Sequence, residues 1–141
     1  RRYFGFIYQN YNLLASLNAR ENVEVPLILN GKAGSEGRRL VDEALDTVKL
    51  SHRKGFWVTD LSGGEKQRVA IARAIAADAP ILLADEPTGN LDSETGRQIM
   101  TVLKSLAKDR GRAVLIVTHD ERHIPFADRV FRMEDGRIRV T

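Results

Sequence analysis

The chain contains no cysteine among its 141 residues. This excludes disulfide staples and thiolate metal sites and leaves the compartment undetermined. It has no long hydrophobic run either. The longest, Ile81–Ala84 and Ala113–Val117, fall far short of the roughly 20 apolar residues a membrane-spanning helix needs. No secretory leader is present and the first residue is Arg1, not Met, so the chain reads as a piece of a longer polypeptide. Internal repeats and low-complexity tracts are missing. No strong single-sign charge dominates, since the net charge is +3 and the pI is near 9.4. Lys and Arg are spread along the length instead of clustering with aromatics, which favours a solvated basic surface over a nucleic-acid partner.

What is present suits one soluble domain with a real core, with 43% apolar and 29% charged residues. Tyr3–Tyr8 is aromatic and β-branched enough for a short strand ending at Gln9. Asn10–Asn30 starts as a loop and turns helical near Ala19, and Gly31–Gly37 reads as a linker. Val41, Ala44, Leu45 and Val48 recur at i, i+3, i+4 and i+7, predicting an amphipathic helix over Arg38–Lys49. Gly55–Leu61 is loop-like, and Trp57 is expected to pack under the loop before Ser62. Glu65–Ala77 is rich in helix formers, with Val69, Ala72, Ile75 and Ala76 on one side. Ile81–Ala84 and Ala113–Val117 read as buried parallel strands, with a helix from Ser93 between them whose stripe is Ile99, Val102, Leu103 and Leu106. Val130–Met133 and Arg137–Val140, joined through Glu134-Asp135-Gly136, form a hairpin. Strands separated by helices predict an α/β domain with a parallel core and an antiparallel end.

Two features carry chemistry. Asp85 and Glu86 follow directly on an apolar strand, at the end where open α/β sheets place their ligand crevice. The first acid can hold Mg²⁺ through water, and the second, pointing the other way, can polarise an attacking water. An acidic turn completed by Pro87 and Gly89 is the plainer reading of the same residues. The second feature is Leu61-Ser62-Gly63-Gly64-Glu65. Two glycines at a helix start let backbone N–H groups approach an anion, and Ser62 with Glu65 also spells a capping box.

The longer string Leu61-Ser62-Gly63-Gly64-Glu65-Lys66-Gln67-Arg68-Val69-Ala70-Ile71-Ala72-Arg73-Ala74 closely resembles the signature motif of ATP-binding-cassette (ABC) transporter ATPases. Asp85-Glu86 resembles their Walker B motif, Gln9 their Q-loop glutamine, Asn90-Leu91-Asp92 their D-loop, and His119 their switch histidine. The five motifs fall in the family's order. The resemblance implies a P-loop NTPase (RecA-like) core with the ABC helical subdomain. Residues 10–78 would hold the Q-loop, helical subdomain and signature helix, and 79–141 the Walker B, D-loop and H-loop core. It further implies that Asp85 supports Mg²⁺, Glu86 activates the hydrolytic water, His119 contacts the γ-phosphate, and Gln9 senses metal and water. Ser62, Gly63, Gly64 and Glu65 would meet ATP held by a second ATPase domain in a head-to-tail dimer. Asp92 would lie at that interface.

The strings Phe4-Gly5-Phe6-Ile7-Tyr8-Gln9 and Pro87-Thr88-Gly89-Asn90-Leu91-Asp92 look most like the group serving lipoprotein release and macrolide export. That implies a transmembrane permease partner, contacted by Asn10–Leu29. It also implies a place on the cytoplasmic face of the inner or plasma membrane. His52 and His123 match no motif and are expected at the surface.

One family element is missing from these residues. No Gly-x-x-x-x-Gly-Lys-Ser/Thr string occurs, and Gly31-Lys32-Ala33 is the nearest approach. In the family this P-loop and its strand lie upstream of the Q-loop, so here they would precede Arg1. Two expectations follow. The chain alone should neither bind nor hydrolyse ATP. Loss of the P-loop strand should leave Ile81–Ala84 or Ala113–Val117 with an unpaired edge that drives self-association. DNA-repair or chromosome-organising heads separate the Q-loop and signature by a long coiled coil, whereas Asn10–Asp60 has no sustained heptads. A ribosome-associated ATPase of the superfamily and a non-catalytic oligomerisation module compete with the transporter reading.

Overall fold

The computed structural model describes residues 3–140, with side chains over that range except at 109, 110 and 140; residues 1, 2 and 141 of the expected domain lie outside it. Three strands, β1 (Phe4–Ile7), β2 (Ile81–Asp85) and β3 (Ala113–Val117), form a parallel sheet in that order. Its register sets Phe6 beside Leu83 and Leu83 beside Leu115. The hairpin β4 (Phe131–Glu134) and β5 (Arg137–Val140) forms a separate antiparallel pair. Its two-residue turn, Asp135 and Gly136, takes φ of 48° and 73°, the double left-handed geometry that suits the twist of a hairpin.

Among the described residues four α-helices accompany the sheet: α1 (Ala19–Leu29), α2 (Ser35–Thr47), α3 (Gly63–Ala76) and α4 (Ser93–Arg110). The start of α1 is fixed by a capping box, in which Asn18 Oδ1 accepts from Glu21 N at 2.8 Å and Glu21 Oε2 accepts from Asn18 N at 2.9 Å. Buried Asn22 then ties the preceding loop down, exchanging bonds of 2.8 and 3.1 Å with the Leu14 backbone. Helix α2 begins inside the expected linker, at Ser35, because its apolar stripe starts only at Val41 and gives no signal for the first turn. It stops at Thr47, short of Lys49, which turns left-handed at φ 57°.

The expected apolar side of α3, Val69, Ala72, Ile75 and Ala76, is buried, and burial extends further round the helix. Val69, Ala70, Ile71, Ala72, Ala74, Ile75 and Ala76 are all buried, because the helix is enclosed by α1, α2 and β1. Its alanines permit that close approach on several sides at once. Leu27, Leu45 and Leu103 are fully buried around it, each contributing roughly 1.5–3 kcal/mol of transfer free energy.

Strand β3 is also not buried as expected. On the helix side of the sheet Ile7, Leu82 and Ala84 are covered, while on the other face Phe4, Phe6, Leu115 and Val117 remain exposed. Strand β2 is paired on both sides, so the expected unpaired edge falls on β3. Trp57 is half exposed instead of packing under its loop, since Val58 and Leu61 fill the space below.

Candidate functional site

The site is built at the C-terminal end of β2. Glu86 N continues the ladder to Val117 O at 2.9 Å, and Glu86 then turns left-handed at φ 44°. That turn sends its side chain to the segment after β3. Thr118 Oγ1 donates to Glu86 Oε2 at 3.0 Å, His119 N donates to Oε1 at 3.0 Å, and His119 Nδ1 lies 2.7 Å from Oε1. Burial alone would raise the Glu86 carboxyl, but the hydrogen bonds from His119 and Thr118 outweigh it and hold the group below its ordinary range. Asp85, the last residue of β2, is exposed.

Gln9 follows β1 and turns to the loop after Glu86. Its Nε2 reaches Asn90 Oδ1 at 3.4 Å, and Asn90 Nδ2 donates to Gln9 O at 3.0 Å and to Asn10 Oδ1 at 3.1 Å. The segment after β1 is therefore fastened to the loop between β2 and α4. Asp92 closes this loop as the cap of α4, accepting from Glu94 N and Thr95 N at 3.1 and 3.0 Å and from Thr95 Oγ1 at 2.6 Å.

The capping box expected at α3 is present, with Glu65 N donating to Ser62 Oγ at 3.2 Å and Ser62 N to Glu65 Oε2 at 2.9 Å. Arg53 Nε adds a 3.1 Å contact to Glu65 Oε1. The Ser62 backbone bond, helped by Arg53, holds the Glu65 carboxyl below its ordinary range against the opposing effect of burial. The glycines have an internal reason to be glycine. A Cβ on Gly63 would lie 2.9 Å from Tyr11 Oη and 3.2 Å from Leu91 Cδ2, and one on Gly64 would collide with Thr95 Cγ2. Helix α3 therefore starts in contact with the loop at Asn90 and Leu91 and with the first turn of α4.

Several side chains that hold the site were not singled out by sequence reasoning. Fully buried Gln67 donates from Nε2 to Pro87 O at 2.6 Å and to Tyr8 O at 3.4 Å, joining α3 to both segments. Arg73 donates to Asn12 O at 2.5 Å and Tyr11 O at 2.9 Å, where both residues take positive φ. Thr118 stands beside His119 and shares its hold on Glu86. His52 is exposed as expected, but His123 is not: it is 9% exposed, with Nε2 2.7 Å from Thr88 Oγ1. Its burial depends on the turn Glu121–Phe126 folding back over Thr88, which local sequence does not announce.

No group of three or more His, Cys, Asp or Glu side chains able to cage a metal occurs among the described residues. A single exposed carboxylate at the strand end instead fits a Mg²⁺ that keeps several waters and leans on phosphate oxygens.

Residues 1–89 match the ABC transporter family. Over 138 residues the chain is 44% identical to an ABC transporter ATP-binding protein of Methanocaldococcus jannaschii, MJ0796, covering 95% of the chain and 59% of that protein. It is also 44% identical over 138 residues to the macrolide export ATP-binding/permease protein MacB of Escherichia coli K12, covering 98% of the chain and 21% of the relative. The solved dimeric MJ0796 cassette, in a post-hydrolysis state bound to ADP and Pi, superposes with a TM-score of 0.83 at 42% identity, covering 99% of this chain and 63% of that one. CbiO1 of Clostridium perfringens, part of the ABC transporter complex cbiONQ, superposes with a TM-score of 0.89 at 32% identity, covering 98% and 56%. The chain thus spans less than two thirds of each of these proteins' lengths.

Proposed function

Because the chain belongs to the ABC transporter family and carries part of its ATP-binding domain, we propose that the complete protein hydrolyses ATP to drive export or extraction at a membrane. The observation that carries this reading is the carboxylate of Glu86, fixed at the C-terminal end of β2 by Thr118 and His119. Its Oε1 accepts two bonds and Oε2 one. A carboxylate oxygen has two acceptor positions, so Oε2 is the atom left to take a hydrogen from the attacking water. Held below its ordinary pKa, Glu86 is ionised at neutral pH. It is a weak base, which suits phosphoryl transfer, where orienting the water matters more than early proton removal.

Bound ATP supplies the phosphoanhydride and Mg²⁺ offsets its charge. Asp85 is the residue to support the metal through water, with Gln9 sensing metal and water. His119, with its side chain largely in solvent, is placed to swing from Glu86 to a γ-phosphate. Ser62, Gly63 and Gly64 present the α3 N-terminus to a nucleotide held by a second domain, with Glu65 fixing that helix start and Asp92 at the shared interface. The exporter MacB, with ATP-binding and permease functions in one protein by name, supports the same class here. Exposed Leu14, Ile28 and Leu29 support Asn10–Leu29 as the face toward a permease subunit on the cytoplasmic side. No helix among the described residues is long and apolar enough to cross a membrane.

The test is phosphate release by the full-length protein with its P-loop. Glu86→Gln abolishes turnover while nucleotide binding survives, and unchanged turnover would overturn the assignment. Residues 1–141 alone neither bind nor hydrolyse ATP. Glu86-dependent turnover by that segment would refute this part of the reading.

A further inference from the structure

His123 takes no part in the reaction just described, yet it is among the few buried polar residues of the described part of the chain. Its Nε2 lies 2.7 Å from Thr88 Oγ1 and 3.4 Å from Asp120 Oδ2, and its ring meets Phe126 edge-on with centroids 6.5 Å apart. Thr88 is itself buried. The neighbouring Arg122 donates from Nη1 to Ser93 Oγ at 2.7 Å, while its Nε and Nη2 hold Asp120 at 2.9 and 2.6 Å. The turn Glu121–Phe126 therefore grips the chain on both sides of Gly89–Asp92, at Thr88 before it and Ser93 after it. Asp120 serves both grips and directly follows His119.

Two ties thus run in parallel between the end of β2 and the segment after β3. Glu86 meets His119, and two residues further on Thr88 meets His123. They differ in burial. The His119 side chain is 85% exposed, so water can replace its bond to Glu86 at little cost. The Thr88–His123 bond is shielded, and breaking it would leave the buried Thr88 hydroxyl without the partner it has here. A displacement of His119 that keeps the inner tie would reach Thr88 through Asp120–His123, and the chain after Thr88 leads directly into Asn90–Asp92.

Resting on the ATPase reading above, we propose that His123 is a positioning residue that couples the switch-histidine segment to the D-loop. Displacement of His119 is thereby passed to Asp92, on the surface facing a second ATP-binding domain. A buried polar pair adds little to stability over an apolar pair of the same shape. What the pair provides is a fixed separation between two loops that must move together.

The test uses the full-length protein and steady-state ATP hydrolysis. His123→Leu keeps the packing on Phe126 and loses the nitrogen, and it lowers kcat about tenfold with KM for ATP changed less than about twofold. Thr88→Val does the same, and the double variant is no slower than either single one, as for two residues sharing one interaction. His123→Gln, whose amide reaches the position of Nε2, recovers kcat to within about threefold of wild type. Full activity in His123→Leu, equal loss in the Leu and Gln variants, or an effect on KM alone overturns the proposal. If His123→Leu does not fold, Thr88→Ser against Thr88→Val decides: the hydroxyl-bearing variant stays active and the other does not, and equal activities overturn the proposal. A wild-type protein without Glu86-dependent turnover refutes the ATPase reading itself, a separate outcome.

Discussion

Replacing Gln67 by Met would separate what its amide does from what its volume does. Methionine keeps the length and unbranched shape, so no cavity opens in the buried site. The Pro87 carbonyl loses the donor that reaches it at 2.6 Å. The Tyr8 carbonyl keeps the Tyr11 N–H at 3.1 Å, so one acceptor is orphaned, not two. Against this, Gln67 Oε1 is buried without a hydrogen-bond partner among the described residues, and the thioether removes that desolvated oxygen. The net is a loss of about 1–2 kcal/mol, or roughly 2–8 °C in melting temperature for a domain of ordinary size. Gln67→Glu puts a carboxyl against the Pro87 carbonyl, where it must either stay a buried charge or take up a proton to donate, costing about 3–5 kcal/mol near neutral pH. Thermal melts of the full-length protein, followed by fluorescence, should rank wild type above Met and Met well above Glu. If the Glu and Met variants melt together, the amide nitrogen is not the group that binds Pro87 and the reasoning fails.

Two further outcomes are expected. Glu65 and Glu86 are both held below their ordinary value of 4.5, so their stabilisation is fully present above that pH and is lost as pH falls through their lower folded values. The melting-temperature gap between wild type and Glu65→Gln should therefore be constant near neutrality and shrink below pH 4.5; a gap that persists undiminished into acid would contradict the ion-pair and cap account. The isolated segment 1–141 should self-associate through the exposed side of β3, and Val117→Lys should reduce its apparent mass in light scattering. A monodisperse monomer at high concentration would count against that.

The parts of the fold that could be read in the sequence are those with local signals. Ile81–Ala84 and Ala113–Val117 stand out as apolar runs, Ser62 with Glu65 as a cap, and Asp135-Gly136 as a turn. What could not be read depended on tertiary partners. A five-residue apolar run looks the same whether covered on one face or two, so the exposure of Leu115 and Val117 was invisible. Gln67 and Arg73 sit inside the signature string, but their partners Tyr8 and Asn12 lie 59 and 61 residues away. His123 carries no motif at all, and only the return of its turn over Thr88 gives it a place. Of the site residues, Glu86 and His119 were brought together by the structure, while Gln9 was found fastened to Asn90.

The contact between Gly64 and Thr95 has a bearing on how such a protein can be altered. Any side chain introduced at 64 must first displace the methyl of 95, and Thr95 in turn donates its hydroxyl to Asp92 at 2.6 Å. Positions 64, 95 and 92 therefore form one design variable. Lineages, or engineers, seeking a different nucleotide face on this helix would have to pass through paired changes, with a shrunken residue at 95 preceding a larger one at 64. A library randomised at the signature alone would return almost only glycine at 64, for reasons of fit within one chain and before any ligand had a say.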